Sequence, residues 1–204
     1  MSAESAHLAE DLLAPPALAA LLRQSAELHR HLCPRQVLGA RMGSYAGELL
    51  GLALPQINKR LFAFVETDGC FADGVSVATG CWFGRRTMRL MDEGKTAATF
   101  VDTTSGQALR IWPQPAVRER AAQYAPGAKS RWHAYLAAYQ IMPINELLCA
   151  HPVTLSIDLS ALISRPGMRT RCVACGEEIL NQREVQVETQ TLCRSCAGIG
   201  RYWA

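Results

Sequence analysis

The sequence predicts two domains of unequal size: a larger one built from both helices and strands, and a small one held together by a metal ion. Apolar residues recur at helical spacing in some segments and form short strand-like runs in others. The C-terminal region carries two C-x-x-C pairs. A chain of 204 residues can bury one good core, whereas so small a second module needs a metal ion for stability.

The first half of the chain predicts two helices separated by a His-rich turn. Prolines open the first helix, over residues 17–28, and the second covers residues 34–52 with apolar residues at three- and four-residue steps. Gly39, Gly43 and Gly47 recur within it. Glycine at that spacing lowers helix propensity, so we expect another backbone to approach closely, such as one from a second protomer.

The middle of the chain predicts a sheet followed by further helices. Strands are predicted for residues 61–66, 88–91, 97–101, 108–112 and 153–157. Helices are predicted for residues 73–79, 116–124, 130–142 and 143–149. A Ser-Arg-Pro-Gly segment at residues 164–167 predicts the boundary between domains 1–166 and 167–204.

Charge and cysteine usage restrict the classes of function. The formal net charge of +3 is too weak to indicate nucleic-acid binding, which we expect to be absent. Acidic residues and prolines at the N-terminus predict neither an export signal nor a membrane span. Eight cysteines in such a chain indicate a reducing cytoplasm in which thiols are available as ligands or nucleophiles.

Cys172, Cys175, Cys193 and Cys196 have the spacing of a structural zinc site with four thiolate ligands. Each C-x-x-C turn places two sulfur atoms on one side of a knuckle, and two knuckles complete a tetrahedron around Zn²⁺. Disulfides or a redox pair are the alternatives, and this spacing favours zinc. The predicted ion stabilises the module and does not reveal an activity.

His29, His31 and Cys33 form the first chemical cluster. In an extended segment this spacing turns all three side chains to one face, and imidazole with thiolate suits zinc or another borderline-soft divalent metal. Pro34 favours the first helical position, which makes Cys33 the N-cap and predicts a lowered thiol pKa. The alternative is a set of helix-start residues with no shared task.

The second cluster follows the predicted strand at residues 61–66, where Asp68, Cys70 and Asp73 combine carboxylates with a thiol. Loops at strand ends are common places for sites. A third candidate is the pair Arg85 and Arg86, which follows glycines and could receive an anion such as a phosphate or carboxylate. A solvated basic turn is the alternative for that pair.

Three motifs in this order resemble those of the FmdE-like proteins, a family named after a component of formylmethanofuran dehydrogenase. They are His29-x-His31-x-Cys33-Pro34, Glu66-Thr-Asp68-Gly-Cys70-x-x-Asp73, and Gly80-Cys81 followed by a glycine and basic residues. The four-cysteine module looks like the zinc finger that many members carry after the core.

The resemblance implies an α+β core domain followed by a small treble-clef-like zinc-finger domain. It also implies a homodimer and a cleft that holds the His and Cys residues. Because some members are encoded with molybdenum or tungsten formylmethanofuran dehydrogenase, it implies association with such an oxidoreductase.

Two hypotheses for function follow, and the sequence does not decide whether the chain is an enzyme. In the first, the protein is a metal-binding accessory protein in which His29, His31, Cys33 and Cys70 hold a second, more labile divalent metal. The second is a thiol-dependent enzyme, with a nucleophile, a base and an orienting carboxylate. Its candidate residues are, in that order, Cys33 or Cys70, His29 or His31, and Asp68 or Asp73. A binding module is a third, blander alternative.

Overall fold

A computed structural model describes residues 13–162 and 168–200 of the chain. The chain divides into two compact units, Met1–Ser156 and Ile157–Ala204. The predicted boundary at residues 164–167 lies outside the described residues, so the division into domains 1–166 and 167–204 stays a prediction.

Two helices open the first unit. Helix α1 spans Pro16–His29 and helix α2 spans Pro34–Leu50, each with proline at its start as predicted. Helix α2 ends at Gly51, which adopts the left-handed conformation that glycine accepts most readily. Gln36 in α2 ties the two helices together, because its side-chain amide donates to both the backbone carbonyl and the hydroxyl of Ser25 in α1.

A mixed five-stranded sheet forms the centre of the first unit. Its strands are β1 Leu61–Val65, β2 Met88–Leu90, β3 Ala98–Asp102, β4 Ala108–Pro113 and β5 Leu148–Pro152. Their order is β2-β1-β3-β4-β5, with β1 and β2 parallel and the other pairs antiparallel. Every residue of β1 and β3 is buried, as expected for central strands covered on both faces.

Further helices follow in chain order. Those of the first unit are α3 Cys70–Thr79, α4 Val117–Tyr124, α5 Arg131–Ile141 and α6 Ile144–Leu147, and α7 Leu159–Leu162 belongs to the second unit. Helix α3 starts at Cys70, three residues before the predicted start at Asp73, so the thiol lies on the helix instead of preceding it. No helix among the described residues is long and apolar enough to cross a membrane.

The strand predicted for residues 153–157 is wrong, and so is the last part of the predicted helix at residues 143–149. Helix α6 ends at Leu147, and β5 starts immediately at Leu148. The backbone enters the sheet there because five consecutive residues of β4 provide pairing partners for β5. Pairing with a neighbouring strand outweighs the β propensity of the apolar run that follows.

The glycines of α2 allow close packing within one chain. Gly39 faces α3, where an added Cβ would clash with the carbonyl oxygen of Phe71 and lie 2.8 Å from the nitrogen of Val75. Gly74 of α3 approaches α2 reciprocally, next to the backbone of Gln36. The predicted close approach is therefore present, but α3 of the same chain provides the neighbouring backbone, not a second protomer.

The second unit contains two small hairpins. Strand β6 Arg169–Arg171 pairs with β7 Glu178–Leu180, and β8 Val185–Val187 pairs with β9 Gln190–Leu192. The buried apolar residues of this unit are few, with Ile179 and Leu192 packing around Cys172. So small a core does not stabilise a fold by itself.

Candidate metal centres

The turn between α1 and α2 determines where the first cluster lies. His29 is the last residue of α1, Arg30 takes a left-handed conformation with φ of 67°, and Cys33 is the N-cap of α2. The segment is therefore not extended, and simple alternation does not bring the three side chains to one face. The left-handed turn instead brings the rings of His29 and His31 to a centroid separation of 4.6 Å.

Two imidazoles and one thiol converge at this turn. His29, His31 and Cys70 each offer one donor atom, and these atoms all lie within 4.8 Å of one another. His31 is exposed, whereas His29 and Cys70 are half-buried. The turn provides the two histidines and the start of α3 provides the cysteine.

Asp73 orients His29. The carboxylate lies one turn along α3 from Cys70, and its Oδ2 is 2.8 Å from His29 Nδ1. On the other side of the ring, His29 Nε2 is 3.0 Å from the sulfur of Cys70. Because the carboxylate accepts the Nδ1 proton, Nε2 is left with its lone pair directed at the thiol. Asp68, the other predicted carboxylate, is exposed in the preceding loop.

Cys33 lies beside the cluster but contributes no atom to it. Its N–H donates to Gln36 Oε1 at 2.7 Å, which confirms its predicted position as N-cap of α2. Burial raises the pKa of the Cys33 thiol to about 11, outweighing the backbone N–H groups of Gln36 and Arg35 that lower it. The Cys70 thiol raises the pKa further. The predicted low pKa is therefore wrong, because desolvation exceeds the effect of the helix N-terminus.

A cavity of about 920 Å³ adjoins the cluster. His31, Cys33 and Cys70 line one part of it. The rest of the lining consists largely of cationic and aromatic side chains, namely Arg35, Lys95, Arg110, Arg118, Trp112, Trp132, Tyr135 and Tyr139. Sites of this volume accept small molecules.

Arg110 is held rigidly in the cavity wall. Its Nε and Nη2 donate to the two carboxylate oxygens of Glu66 at 2.6 and 2.7 Å. The guanidinium also lies over the ring of Trp112, 5.1 Å from the centroid. The bidentate contact with Glu66 raises the pKa of Arg110, so this cation is permanently charged.

Arg85 and Arg86 lie elsewhere and do not line this cavity. Arg85 Nη1 donates to the carbonyl of Gly80 at 3.3 Å, and the N–H of Arg86 donates to the carbonyl of Phe83 in a turn. The guanidinium of Arg89 is likewise occupied by the carbonyls of Arg86 and Met88. These contacts are those of a basic turn that satisfies its own backbone, and the anion site predicted for Arg85 and Arg86 stays a prediction.

The four cysteines of the second unit meet as the spacing predicts. The sulfur atoms of Cys172, Cys175, Cys193 and Cys196 all lie within 4.8 Å of one another. Those of Cys175 and Cys193 are 4.0 Å apart, close to the ~3.8 Å edge of a sulfur tetrahedron with Zn–S bonds of roughly 2.3 Å. Gly176 permits the tight first knuckle, because its φ is 76° and its N–H donates to the carbonyl of Cys172.

The thiols of this site differ in acidity. Backbone N–H groups of Cys193 and Cys175 lower the pKa of Cys172 to about 6, whereas its thiol neighbours raise the pKa of Cys196 to about 12. Four thiols this close do not all ionise without a cation among them. The donor set therefore fits Zn²⁺, which replaces the protons.

Comparison with known proteins assigns the first unit. Residues 28–149, more than half of the chain, match the family model described as FmdE, Molybdenum formylmethanofuran dehydrogenase operon. The chain belongs to the FmdE family. Residues 167–199 match the prokaryotic dksA/traR C4-type zinc finger, which confirms the predicted structural zinc site. The family and the finger together indicate a metal-binding accessory protein.

A solved structure shares the fold of this FmdE-family chain. It is the crystal structure of an FmdE-like protein of tungsten formylmethanofuran dehydrogenase from Syntrophus aciditrophicus, with a TM-score of 0.54 and 20% identity over 89% of this chain and 92% of that one. The predicted fold class, an α+β core followed by a small zinc-finger domain, is thereby confirmed.

A curated relative from Archaeoglobus fulgidus carries the name probable S-adenosyl-L-methionine-binding protein. It is 38% identical over 98 residues, which are 47% of this chain. The FmdE-family chain spans only 27% of that relative's length.

Sequence reasoning missed most of the cavity. The missed residues are Arg35, Lys95, Arg110, Trp112, Arg118, Trp132, Tyr135 and Tyr139. One pattern could have identified part of the set: Arg110 and Trp112 alternate with the buried Ile111 in a strand, so they project from the same face. The contributions of α4 and α5 depend on tertiary packing that no local pattern contains.

Proposed function

We propose that this FmdE-family chain binds a second, labile divalent metal ion through His29, His31 and Cys70, in addition to the structural zinc of the finger. The convergence of two imidazole nitrogens and one sulfur within 4.8 Å, beside an open cavity, carries this proposal. Three protein ligands with one vacant position are typical of functional metal sites, whereas structural sites are closed.

Asp73 supports a metal ligand in particular. A histidine that binds a metal almost always donates its other ring N–H to a carboxylate or carbonyl, which fixes the tautomer. The Asp73 contact at His29 Nδ1 meets this requirement and leaves Nε2 for the ion. The 3.0 Å between His29 Nε2 and Cys70 Sγ would widen to about 3.5 Å around a tetrahedral ion, a small side-chain rotation.

The fourth coordination position would open toward the cavity. Cys33, which the sequence suggested as a ligand, is buried and its raised pKa keeps the thiol protonated. A metal with three ligands can accept a fourth from a small molecule or pass to another protein. The proposed role is therefore metal handling or metal-assisted binding, with the finger as a structural element.

Partners and compartment follow from this proposal and the family. The family's operon association makes a molybdenum or tungsten oxidoreductase the partner to test, and we retain the homodimer as the expected assembly. A site containing a free thiolate also needs reducing conditions, which the cytoplasm provides.

Cobalt titration of metal-free protein tests the core site. We expect the wild type to bind two Co²⁺ ions, both with thiolate-to-cobalt absorption, and Cys70→Ser to bind only the ion of the finger. Asp73→Asn should weaken the core ion by about 10- to 100-fold, because outer-shell partners typically contribute that much. Cys149→Ser, which changes a cysteine outside both clusters, is the matched control.

An unchanged cobalt count in Cys70→Ser would refute the core metal site. The same titration of Cys172→Ser distinguishes the two ions, since it should remove the finger signal and leave the core signal.

The thiol-dependent enzyme stays a second candidate because of one observation. Asp73, His29 and Cys70 form a continuous chain with contacts of 2.8 and 3.0 Å, the arrangement of carboxylate, base and nucleophile. Cys33 is disfavoured as the nucleophile by its raised pKa. The second histidine, His31, has no place in such a chain, whereas a metal site uses it.

Alkylation separates the two candidates. We expect iodoacetamide to modify Cys70 in metal-free protein and added Zn²⁺ to protect it, whereas Cys33 stays unmodified at pH 8 because its thiol is protonated. Peptide mass mapping measures both sites in one sample. A Cys70 that reacts equally fast with and without Zn²⁺ would favour the thiol enzyme.

A further inference from the structure

We propose that the cavity beside the His/Cys cluster binds a small organic anion that carries a flat or aromatic group. Four cationic side chains line the cavity: Arg35, Lys95, Arg110 and Arg118. Among the described residues, no Asp or Glu lines it. A concave site lined by one sign of charge concentrates ligands of the opposite sign.

Two of the four cations already have carboxylate partners. Arg110 is paired with Glu66, and Lys95 Nζ lies 3.6 Å from Glu93. Glu66 and Glu93 line a separate cavity of about 460 Å³, which shares Arg110 and Lys95 with the larger one. The larger cavity therefore receives the cations without their partners.

The other two cations are uncompensated. Within the described ranges, neither Arg35 nor Arg118 has a carboxylate within 4.0 Å. Arg118 of α4 lies close enough to the Tyr139 hydroxyl of α5 to hydrogen-bond with it. An anionic ligand would supply the charge that the protein does not.

The walls of the cavity favour a flat ligand. Tyr135 and Tyr139 are parallel, with ring centroids 5.7 Å apart and an interplanar angle of 3°. Trp132 lines the same cavity although it is 44% exposed, and Trp112 stands under the guanidinium of Arg110. Aromatic and guanidinium planes recognise planar groups by stacking.

The size of the cavity determines the class of ligand. Its volume of about 920 Å³ lies at the upper end of the roughly 300–1,000 Å³ found for small-molecule sites. The ligand class is therefore an aryl or heteroaryl carboxylate or phosphate of cofactor size. S-adenosyl-L-methionine has a net positive charge, so the cation-lined cavity should bind it more weakly than an anion of similar size.

The anion preference depends on the cavity alone, whereas a link to the metal rests on the proposed function. His31 and Cys70 line the cavity, so a carboxylate or phosphate oxygen could occupy the vacant position of a bound ion. Protein with an intact cavity and a disabled core metal site separates these two statements.

Calorimetric titration with 2-naphthoate and its neutral analogue 2-naphthamide tests the preference. We expect the wild type to bind the anion at least about tenfold more tightly, since charged hydrogen bonds are the stronger ones. Arg118→Met and Arg35→Met should each weaken naphthoate about 3- to 10-fold and leave naphthamide nearly unchanged. Arg120→Met, on the same helix as Arg118 but not lining the cavity, is the matched control.

The same titration in Cys70→Ser distinguishes the two proposals. Retained selectivity for naphthoate there supports the cation-lined cavity, even if cobalt binding to the core has failed. Equal affinity for the two naphthyl probes in Cys70→Ser overturns it, as does an Arg118→Met variant that behaves like Arg120→Met. Because Arg118 and Arg120 both lie on the surface of α4, circular dichroism should show unchanged helix content in both variants.

Discussion

Replacing Cys172 by serine should release the finger zinc and unfold the C-terminal module. The apparent binding free energy of structural zinc in small fingers is about 10–16 kcal/mol, which far exceeds what two short hairpins with three buried apolar residues can supply. We expect the amides of β6 to β9 to lose hydrogen-exchange protection, while those of β1 and β3 keep it. Zinc analysis and exchange mass spectrometry on the same sample measure both effects.

Cys149→Ser is the control for this substitution, because Cys149 lies in β5 and belongs to neither donor cluster. It should retain zinc and the protection of all four finger strands. A Cys172→Ser protein that keeps its zinc, or that loses zinc without losing protection, would contradict the structural role of the ion.

Replacing Gly39 by alanine should strongly destabilise the first unit. The added methyl group would meet backbone atoms of α3, which cannot rotate away as a side chain can. Overpacking costs typically about 1–3 kcal/mol, and rigid backbone neighbours place this position at or above the upper value. Thermal unfolding should shift down by about 6–12 °C, given roughly 2–4 °C per kcal/mol for a chain of this length.

Gly84→Ala is the matched control for Gly39→Ala. Gly84 has open space around it and does not need a left-handed conformation, so its unfolding temperature should change by less than about 2 °C. If Gly39→Ala were as stable as Gly84→Ala, the close packing of α2 on α3 would be wrong. Since α3 carries Cys70 and Asp73, a displaced α3 should also weaken cobalt binding at the core site.

Local patterns were sufficient for the helix starts and the zinc ligands. Pro16 and Pro34 fix the starts of α1 and α2 through their backbone geometry, which acts within one or two residues. The C-x-x-C spacing likewise encodes a knuckle locally. These features do not depend on the rest of the chain, so the sequence alone identifies them.

Features that depend on distant segments were predicted less well. β5 begins at Leu148 because β4 lies beside it, and no pattern within residues 148–157 reveals that neighbour. The acidity of Cys33 was wrong for a related reason: the helix start and nearby arginines are visible in sequence, whereas burial by other segments is not.

The core site lies between these cases. The sequence grouped His29 with His31 and Cys70 with Asp73, and the structure brings both pairs together across 41 residues of chain. The reason given for the histidines was wrong, since a left-handed Arg30 and not an extended backbone brings their rings together. Which of these residues act as ligands stays a proposal.

The fixed guanidinium of Arg110 has a consequence for the rate and economy of ligand capture. Glu66 holds it in one plane and Trp112 supports it from below, so few rotamers remain to be lost when a partner arrives. Most of the ordering entropy of this arginine was lost when the chain folded. Its remaining N–H groups therefore form a preorganised recognition element, in contrast to the solvent-exposed Arg35, whose side chain must be immobilised on contact.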